Sequence, residues 1–273
     1  MSSEIIKAGR GVGDMTPGTD EFYTIQRVED AQGVTITTTD LVLTQAYVSA
    51  GKNLTIYGDE VEIGEDIRLA GHNVVINARI IRARKSASID TSGGAPDIDH
   101  PPGDAAPTGE FHQELGSNGG PGGDGAAGTD GHAAGAISLF AERYELGGEL
   151  RLVANGGVGG RGQNGGKGGD GHQGAPGEET SAILPDPFIH YPEKYPSDGR
   201  NGGNGGAGGR AGKSGNGGAG GQITVRYVVA RDEKLIRMQC DAGKPGEVAA
   251  AGKGGGWGAT ITVAGQRQLG WPV

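Results

Sequence analysis

The chain has few of the residues from which a conventional core or a disulfide framework is built. Only 5% of its 273 residues are aromatic and 34% are hydrophobic, so one globular core cannot extend over the whole length. The single cysteine, Cys240, excludes an internal disulfide. No apolar run approaches the roughly 18 residues of a spanning helix, and the N-terminus lacks the basic start and apolar stretch of an export signal. We therefore expect no membrane insertion.

Basic stretches are also missing. The formal charge is −9, and lysine and arginine are scattered along the chain. Proteins that bind nucleic acid or anionic membranes need clustered positive charge. We therefore expect no nucleic-acid partner.

Glycine is abundant, and it is periodic. It fills 58 positions and returns at every third residue through 116–131, 156–177 and 203–221. A period of three is that of the polyproline II helix, and glycine on one face lets a neighbouring backbone approach closely. The pattern predicts packed extended helices. A collagen-like trimer is the alternative, but these runs are short and largely free of proline.

Between Gly33 and Thr91 the chain consists of short β-branched triplets with a repeat of twenty residues. The equivalent positions form three columns, which are Val34, Leu54 and Val74; Leu41, Val61 and Ile81; and Tyr47, Ile67 and Ala87. This spacing predicts an all-β fold, a parallel β-solenoid with three short strands per coil. The first column continues through Ile137, Ile223 and Ile261, whereas Asp232 breaks a neighbouring apolar column.

The repeat divides the chain into an N-terminal cap, 1–33, and a solenoid, 34–273. The predicted coils are near 34–53, 54–73, 74–90, 137–154, 223–240 and 261–273. Three glycine-rich inserts, 91–136, 155–222 and 241–260, follow Asp90, Ala154 and Cys240 at one corner of the coil. Coils stack about 4.8 Å apart, so hairpins leaving that corner lie side by side. We expect them to pack as a bundle, with Val158, Arg161, Lys167 and Asp170 pointing outward.

Two family resemblances follow from these patterns. The coil LTIYGDEVEIGEDIRLAGHN is similar to the haemagglutinin-type repeats of large secreted bacterial adhesins. The runs GGVGGRG and NGGNGGAGG resemble the polyglycine II bundles of T-even-type phage tail-fibre tip adhesins, in which loops at the bundle end contact the host receptor. The resemblance implies that adhesion resides in the tips of the inserts.

The tip of the second insert is a glycine-free stretch, SAILPDPFIHYPEKYPS, over 181–197. Proline stiffens such a loop, and tyrosine and phenylalanine offer large contact areas. The candidate binding residues are Phe188, His190, Tyr191, Lys194 and Tyr195. The alternative is that this stretch caps the bundle end by packing on Phe111 and His112.

Other motifs indicate no catalysis and no cofactor. AGGRAGKS, over 207–214, has the spelling of a phosphate loop but neither the preceding strand nor the following helix. The Asp-Gly-His triplets at Asp130 and Asp170 lack the setting of a calcium repeat, so solvated side chains are expected there. Cys240 is expected to be structural. The carboxylates Glu60, Glu62, Glu65 and Asp66 could form an acid and base pair, but a charged solvent face is the simpler explanation.

These features predict a non-enzymatic structural or adhesive protein at an extracellular, virion or cell surface. Its expected partner is a surface glycan or a protein receptor. The alternative is a filament or scaffold subunit that self-associates through the solenoid ends, where strand edges are exposed. Ice binding, indicated by the glycine-rich bundles of springtail antifreeze proteins, is less well matched because charged residues interrupt the rows.

Overall fold

The computed structural model describes residues 2–8, 23–177, 179–182, 193–196, 199–229 and 232–257. These residues form strands and extended segments, with two short 3-10 turns at Gln45–Tyr47 and Glu233–Leu235. The prediction of an all-β chain with parallel strands is confirmed. The strands in chain order are β1 (Ser2–Ala8), β2 (Tyr23–Glu29), β3 (Gly33–Leu43), β4 (Asn53–Ile63), β5 (Ile67–Arg68), β6 (Val74–Ala83), β7 (Ala87–Asp90), β8 (Ile137–Leu146), β9 (Leu150–Val153), β10 (Glu179–Ala182), β11 (Glu193–Pro196), β12 (Ile223–Val229) and β13 (Ile236–Gln239).

The larger sheet has seven strands in the order β1, β2, β3, β4, β6, β8, β12. From β3 onward its neighbours are parallel, while β1 and β2 add antiparallel strands at one edge. The predicted column is confirmed where it is described, because consecutive strands pair Val34, Leu54, Val74, Ile137 and Ile223 in register. The strand register that the repeat predicts for this column is therefore observed in the structure.

The prediction of three short strands per coil is wrong, because the first two triplets form one continuous strand. In β4, Ile56 and Val61 are both fully buried although they are five residues apart. An odd spacing would place them on opposite faces of a flat strand, so the chain must turn between them. Pairing continues on both sides of this turn, as Gly58 with Ala78 and Glu60 with Ile80 show. The hydrogen-bonded ladder thus passes round the corner.

The third triplets form a second parallel sheet, in the order β13, β9, β7, β5. Here one predicted column is wrong, since Ile67 pairs with Ile89 and not with Ala87. A shift of two residues keeps the same face inward, so Ile67 and Ile89 are both buried and no burial is lost. Tyr47 lies in the 3-10 turn at Gln45–Tyr47, outside any strand.

Aliphatic side chains of both sheets form the core. Rows such as Ile56, Ile76 and Leu139 are wholly buried. At the position where Asp232 breaks an apolar column, its Oδ2 accepts a hydrogen bond of 3.2 Å from the Leu146 backbone N–H. The Asp232 carboxylate therefore takes the position at which an apolar side chain would have continued the column. Strand β12 ends before this position, at Val229.

The chain divides into two compact units. Unit 1 comprises Met1–Asp99, Thr129–Gly160 and Gly215–Glu247, and it contains both parallel sheets. Unit 2 comprises His100–Gly128, Arg161–Ser214 and Val248–Val273, and it contains the antiparallel pair β10 and β11. The inserts leave β7, β9 and β13, whose last residues Asp90, Val153 and Gln239 are paired in register, as expected for a common corner.

Candidate functional site in the glycine-rich segments

The glycine-rich segments are joined by backbone hydrogen bonds that recur every three residues. In unit 1, the amides of Gly157 and Gly160 donate to the carbonyls of His132 and Thr129 at 2.8 Å. In unit 2, the amides of Gly166 and Gly169 donate to Gly123 and Gly120, also at 2.8 Å. In each unit the residue number of the donor rises as that of the acceptor falls, so the two neighbouring segments are antiparallel. Gly165 and Gly168 likewise donate to Ala250 and Lys253, so neighbouring segments satisfy two amides in three of this segment.

Close approach of these backbones leaves no room for a Cβ atom. A Cβ on Gly166 would lie 2.0 Å from the Pro107 carbonyl oxygen, and one on Gly165 would lie 2.2 Å from the Gly209 oxygen. Adjacent glycines therefore face two different neighbours, which explains glycine at two positions of three. At the edge of unit 2 the constraint ends, because a Cβ on Gly254 would come no closer than 3.7 Å to another atom.

We call the packed, hydrogen-bonded glycine-rich segments the lattice. A second feature of the lattice is a two-residue motif, Asn or Asp (Asx) followed by glycine, that hydrogen-bonds to the backbone of one residue in a neighbouring segment. The Ala250 N–H donates to Asn164 Oδ1 at 2.8 Å, and the Gly165 N–H donates to the Ala250 carbonyl at 2.9 Å. We call this arrangement an Asx-Gly clamp. Both backbone groups of the held residue, here Ala250, are satisfied.

Six Asx-Gly clamps occur among the described residues, each acting on the residue 86 positions beyond its Asx. In unit 1 they are Asp130-Gly131 on Asn216 and Asn155-Gly156 on Asp241. In unit 2 they are Asn118-Gly119 on Asn204, Asp124-Gly125 on Arg210, Asn164-Gly165 on Ala250, and Asp170-Gly171 on Gly256. Sequence reasoning missed them, although the offset of 86 was already visible between β8 and β12.

The clamps assign a role to residues that the sequence left as solvated or as metal ligands. Asp130 and Asp170, the acids of the two Asp-Gly-His triplets, both accept backbone N–H bonds. The Gly256 N–H, and then the Lys167 ammonium 3.0 Å away, lower the pKa of Asp170. His132 Nε2 lies 3.2 Å from Asp97 Oδ1, and the His172 ring lies against Phe111. Within the described ranges, no group of three His, Cys, Asp or Glu is arranged to hold a metal ion.

The outward positions of the second insert are largely as expected. Val158 is 55% exposed, and the side chains of Lys167 and Asp170 are about half exposed, whereas Arg161 is partly buried. The third insert differs from the prediction of a hairpin over 241–260. In unit 1, Gly243 and Gly246 donate to Gly218 and Gly215, and in unit 2, Gly252 and Gly255 donate to Gly209 and Gly206.

Within each unit, the described part of the third insert (241–247 in unit 1 and 248–257 in unit 2) therefore runs in one direction without a turn. The physical reason is that residues in 155–170 hydrogen-bond to residues 86 positions later, in 241–256. The third insert therefore pairs with the first glycine run of the second insert. The coil predicted for 261–273 lies outside the described residues.

Of the predicted binding residues, Phe188, His190 and Tyr191 lie outside the described residues. Lys194 and Tyr195 lie in β11, where they pair with Ser181 and Thr180 of β10. The structure thus places these two on an antiparallel strand pair at the ends of the second insert's glycine runs. Binding by the five residues stays a prediction.

The carboxylates considered as an acid and base pair are engaged by neighbours. Glu60 contacts Arg79 and Arg82, and Glu62 contacts Arg84. Glu65 accepts from the Gln45 N–H, and Asp66 accepts from the Ser88 hydroxyl. Cys240 is exposed beyond the end of β13.

No helix in the described part of the chain is long and apolar enough to cross a membrane. Comparison of the chain with protein-family models, with curated proteins and with solved structures finds no match in any of the three.

Proposed function

We propose that this chain is a non-enzymatic structural and adhesive protein, in which a β-solenoid carries glycine-rich segments folded as a polyglycine II bundle. Support for the solenoid comes from the shared offsets of the two sheets. Strands β6 and β8 pair at an offset of 63, as do β7 and β9; β8 and β12 pair at 86, as do β9 and β13. A common offset is expected when each coil contributes one strand to each sheet.

Support for polyglycine II comes from three properties of the glycine-rich segments. Their hydrogen bonds recur every three residues, their donors and acceptors lie on different segments, and glycines at their contacts, such as Gly165 and Gly166, leave no room for a Cβ atom. Helices of this type have no internal hydrogen bonds, so neighbours must supply them. The Asx-Gly clamp is the observation that carries the proposal, because it satisfies both backbone groups of a residue that lies between the regularly spaced glycine donors.

The adhesive function follows from what a stiff, hydrogen-bonded support can present. The second insert carries a stretch rich in proline and aromatics between two legs of this lattice, with Lys194 and Tyr195 on a strand pair. A rigid support and a proline-stiffened loop both reduce the entropy lost on binding. Phe188, His190, Tyr191, Lys194 and Tyr195 then contact a surface glycan or a protein receptor in the extracellular space.

The test is a triple variant, Phe188→Ala with Tyr191→Ala and Tyr195→Ala, assayed for binding to whole cells and to immobilised glycans. We expect binding to fall at least about tenfold, because aromatic anchors dominate recognition surfaces. Val158→Ala, which shortens an apolar side chain that is 55% exposed in unit 1, serves as the control and should bind normally. Circular dichroism checks the fold of both. Normal binding by the folded triple variant contradicts the proposal.

Self-assembly is the second candidate, and β12 and β13, the last strands of the two sheets among the described residues, favour it. Tyr227 and Val229 of β12 are 42% and 49% exposed, and Met238 of β13 is 59% exposed. Apolar side chains on a terminal strand invite pairing with another chain. Sedimentation velocity tests this directly: Val229→Lys should dissociate any assembly, whereas a wild-type protein that stays monomeric at all concentrations contradicts it.

A further inference from the structure

The third insert forms an edge of the lattice in unit 2. Its residues 248–257 accept hydrogen bonds from the first glycine run of the second insert, 162–172, and donate to the second glycine run, 203–214. Gly252, for example, donates to the Gly209 carbonyl at 2.8 Å. Within the part of unit 2 that the structure describes, no other segment bonds to 248–257.

This edge carries two rows of backbone groups that make no hydrogen bond to another described residue. One row consists of amides of the second glycine run, and the other consists of carbonyls of the third insert. The members, at every third residue, are the N–H groups of Gly205, Gly208, Ala211 and Ser214 and the carbonyls of Ala249, Gly252 and Gly255. Such an edge resembles the edge strand of a β-sheet, which is a template for pairing with another chain.

The residues 86 positions earlier show what these two rows are able to bind. The Gly119 amide, which is equivalent to that of Gly205, donates to the second glycine run at 2.8 Å. The Gly166 carbonyl, which is equivalent to that of Gly252, accepts from the same run at 2.9 Å. The edge therefore displays the donors and acceptors for one more glycine-rich segment, antiparallel to the third insert.

A third row of the insert obstructs such a segment. In the first glycine run, a Cβ on Gly165 would lie 2.2 Å from the Gly209 oxygen, so the second glycine run approaches only because glycine is there. The same holds for Gly168, whose Cβ would lie 2.0 Å from the Gly206 oxygen. The equivalent row of the third insert, 86 positions later, consists of Val248, Ala251, Gly254 and Trp257. Three of these four residues carry a Cβ atom where a carbonyl oxygen of the added segment would lie.

We infer that Val248, Ala251 and Trp257 form a blocking row, which prevents the lattice from adding a glycine-rich segment of a second copy of this chain. Val248 and Trp257 are 84% and 85% exposed, so they project from the edge and do not fill the interior of unit 2. A second copy that has not yet folded exposes matching glycine triplets, and unpaired edges then favour misassembly. The inference rests on the polyglycine II arrangement proposed above, but not on adhesion by the tip.

The experiment compares the full wild-type chain with the triple variant Val248→Gly, Ala251→Gly and Trp257→Gly. The probe is a synthetic peptide with the sequence of 201–214, and titration calorimetry measures its binding. We expect the triple variant to bind this peptide at least about tenfold more tightly than the wild type, because three steric conflicts are removed. The milder variant Val248→Gly with Ala251→Gly should gain about threefold or more, and it replaces the triple variant if that one does not fold.

Two controls test the row and the peptide separately. Ala250→Gly with Lys253→Gly adds glycine to another row of the same segment, and it should bind the peptide no better than the wild type. A peptide with Gly206→Ala and Gly209→Ala should not bind the triple variant. In the lattice a Cβ on Gly209 would lie 1.8 Å from the Gly123 oxygen, so alanine does not fit at such positions.

Three outcomes overturn the inference. These are equal peptide binding by the wild type and the folded variants, no binding by the folded variants at millimolar peptide, and an equal gain from Ala250→Gly with Lys253→Gly. Hydrogen exchange distinguishes such a failure from a failure of the proposed arrangement. Protected amides at Gly206 and Gly209 in the wild type leave the arrangement intact, whereas rapid exchange there contradicts the polyglycine II arrangement itself.

Discussion

The two parallel sheets and the glycine-rich segments exclude water by opposite means. In the sheets, side chains such as Ile76 fill the space between neighbours and are wholly buried. In the glycine-rich segments, the absence of side chains allows backbones to meet, and Gly166 has a carbonyl oxygen where its Cβ would lie. The sheets therefore depend on apolar volume, whereas the glycine-rich segments depend on backbone geometry and hydrogen bonds.

The largest expected effect tests the sheet side of this comparison. Ile76→Ala removes a buried aliphatic side chain that sits in register between Ile56 and Leu139. We expect a loss of about 4 kcal/mol in the free energy of unfolding, from lost burial and the cavity that remains. Urea denaturation followed by circular dichroism measures it. Val42→Ala, at a residue 50% exposed on the same sheet, is the control and should cost less than about 1 kcal/mol.

In the glycine-rich segments, the addition of a single methyl group should lower the free energy of unfolding almost as much. Gly166→Ala adds one methyl group at a position 2.0 Å from the Pro107 oxygen, so neighbouring backbones must separate. We expect a loss of about 3 kcal/mol, and faster amide exchange in unit 2 by hydrogen-exchange mass spectrometry. Gly254→Ala adds the same group where the nearest atom is 3.7 Å away, and it should be tolerated. Equal effects of the two substitutions would refute the close-packing account.

Removing one clamp should have an intermediate effect. Asn164→Ala deletes the acceptor of the Ala250 N–H and should cost about 1 kcal/mol. Asn164→Asp keeps the acceptor oxygen and should restore most of this loss. Asn204→Ala is the matched control, because the Asn204 side chain bonds to no other described residue. Thermal denaturation of the three variants distinguishes a specific clamp from a general need for asparagine.

The acidic clamps make a smaller, pH-dependent contribution. Hydrogen bonds from Gly256 and Lys167 lower the pKa of Asp170 in the folded state. A lowered folded-state pKa means that the stabilisation is present above the usual aspartate pKa and is lost as pH falls through the folded value. Asp170→Asn should therefore lower the melting temperature slightly at neutral pH and leave it almost unchanged in acid, so that the acid side of the melting-temperature profile becomes flatter. An unaltered profile would show that Asp170 does not contribute.

The smallest effect is chemical. In the clamp Asn164-Gly165, the asparagine oxygen and the glycine amide are both hydrogen-bonded, whereas the Asn216 side chain bonds to no other described residue. Asparagine deamidates when the following amide nitrogen attacks the side-chain carbonyl carbon, releasing ammonia and forming a succinimide that water opens. We expect Asn216 to deamidate faster than Asn164 during storage at pH 8. Peptide mass spectrometry measures both, and equal rates would argue against protection by the clamp.

Much of the sheet region could be predicted from the sequence because side-chain periodicity reports it directly. Residues such as Val34 and Leu54 recur at fixed offsets, and their register followed. The register of Ile67 could not be predicted, because a shift of two residues leaves the same face buried and so leaves no trace in the pattern. The continuation of β4 through the predicted turn was also missed, since hydropathy does not show that a hydrogen-bonded ladder continues there.

In the glycine-rich segments the period of three predicted close backbone approach, but it did not identify the neighbours. Partners are set by hydrogen bonds between backbones, and nearly identical triplets offer many equivalent registers. The Asx-Gly clamps resolve this ambiguity, because Asn155 and Asn164 fix which residues of 241–257 they hold. The offset of 86 between Asx residues and their partners was the available signal. The roles of Phe188, His190 and Tyr191 depend on a partner surface, which composition alone does not specify.

The clamps also constrain how such a protein can change in length during evolution. An extended segment that is hydrogen-bonded to several neighbours at every third residue keeps its register only if residues are gained or lost three at a time. In the polyglycine II geometry proposed above, each such step is about 9 Å. A single-residue deletion near Asn164 would move every later clamp out of register, whereas the removal of whole triplets from all paired legs together would preserve it. The length of the hydrogen-bonded segments can therefore change only in steps of three residues. The length of the support beneath any tip changes in the same steps.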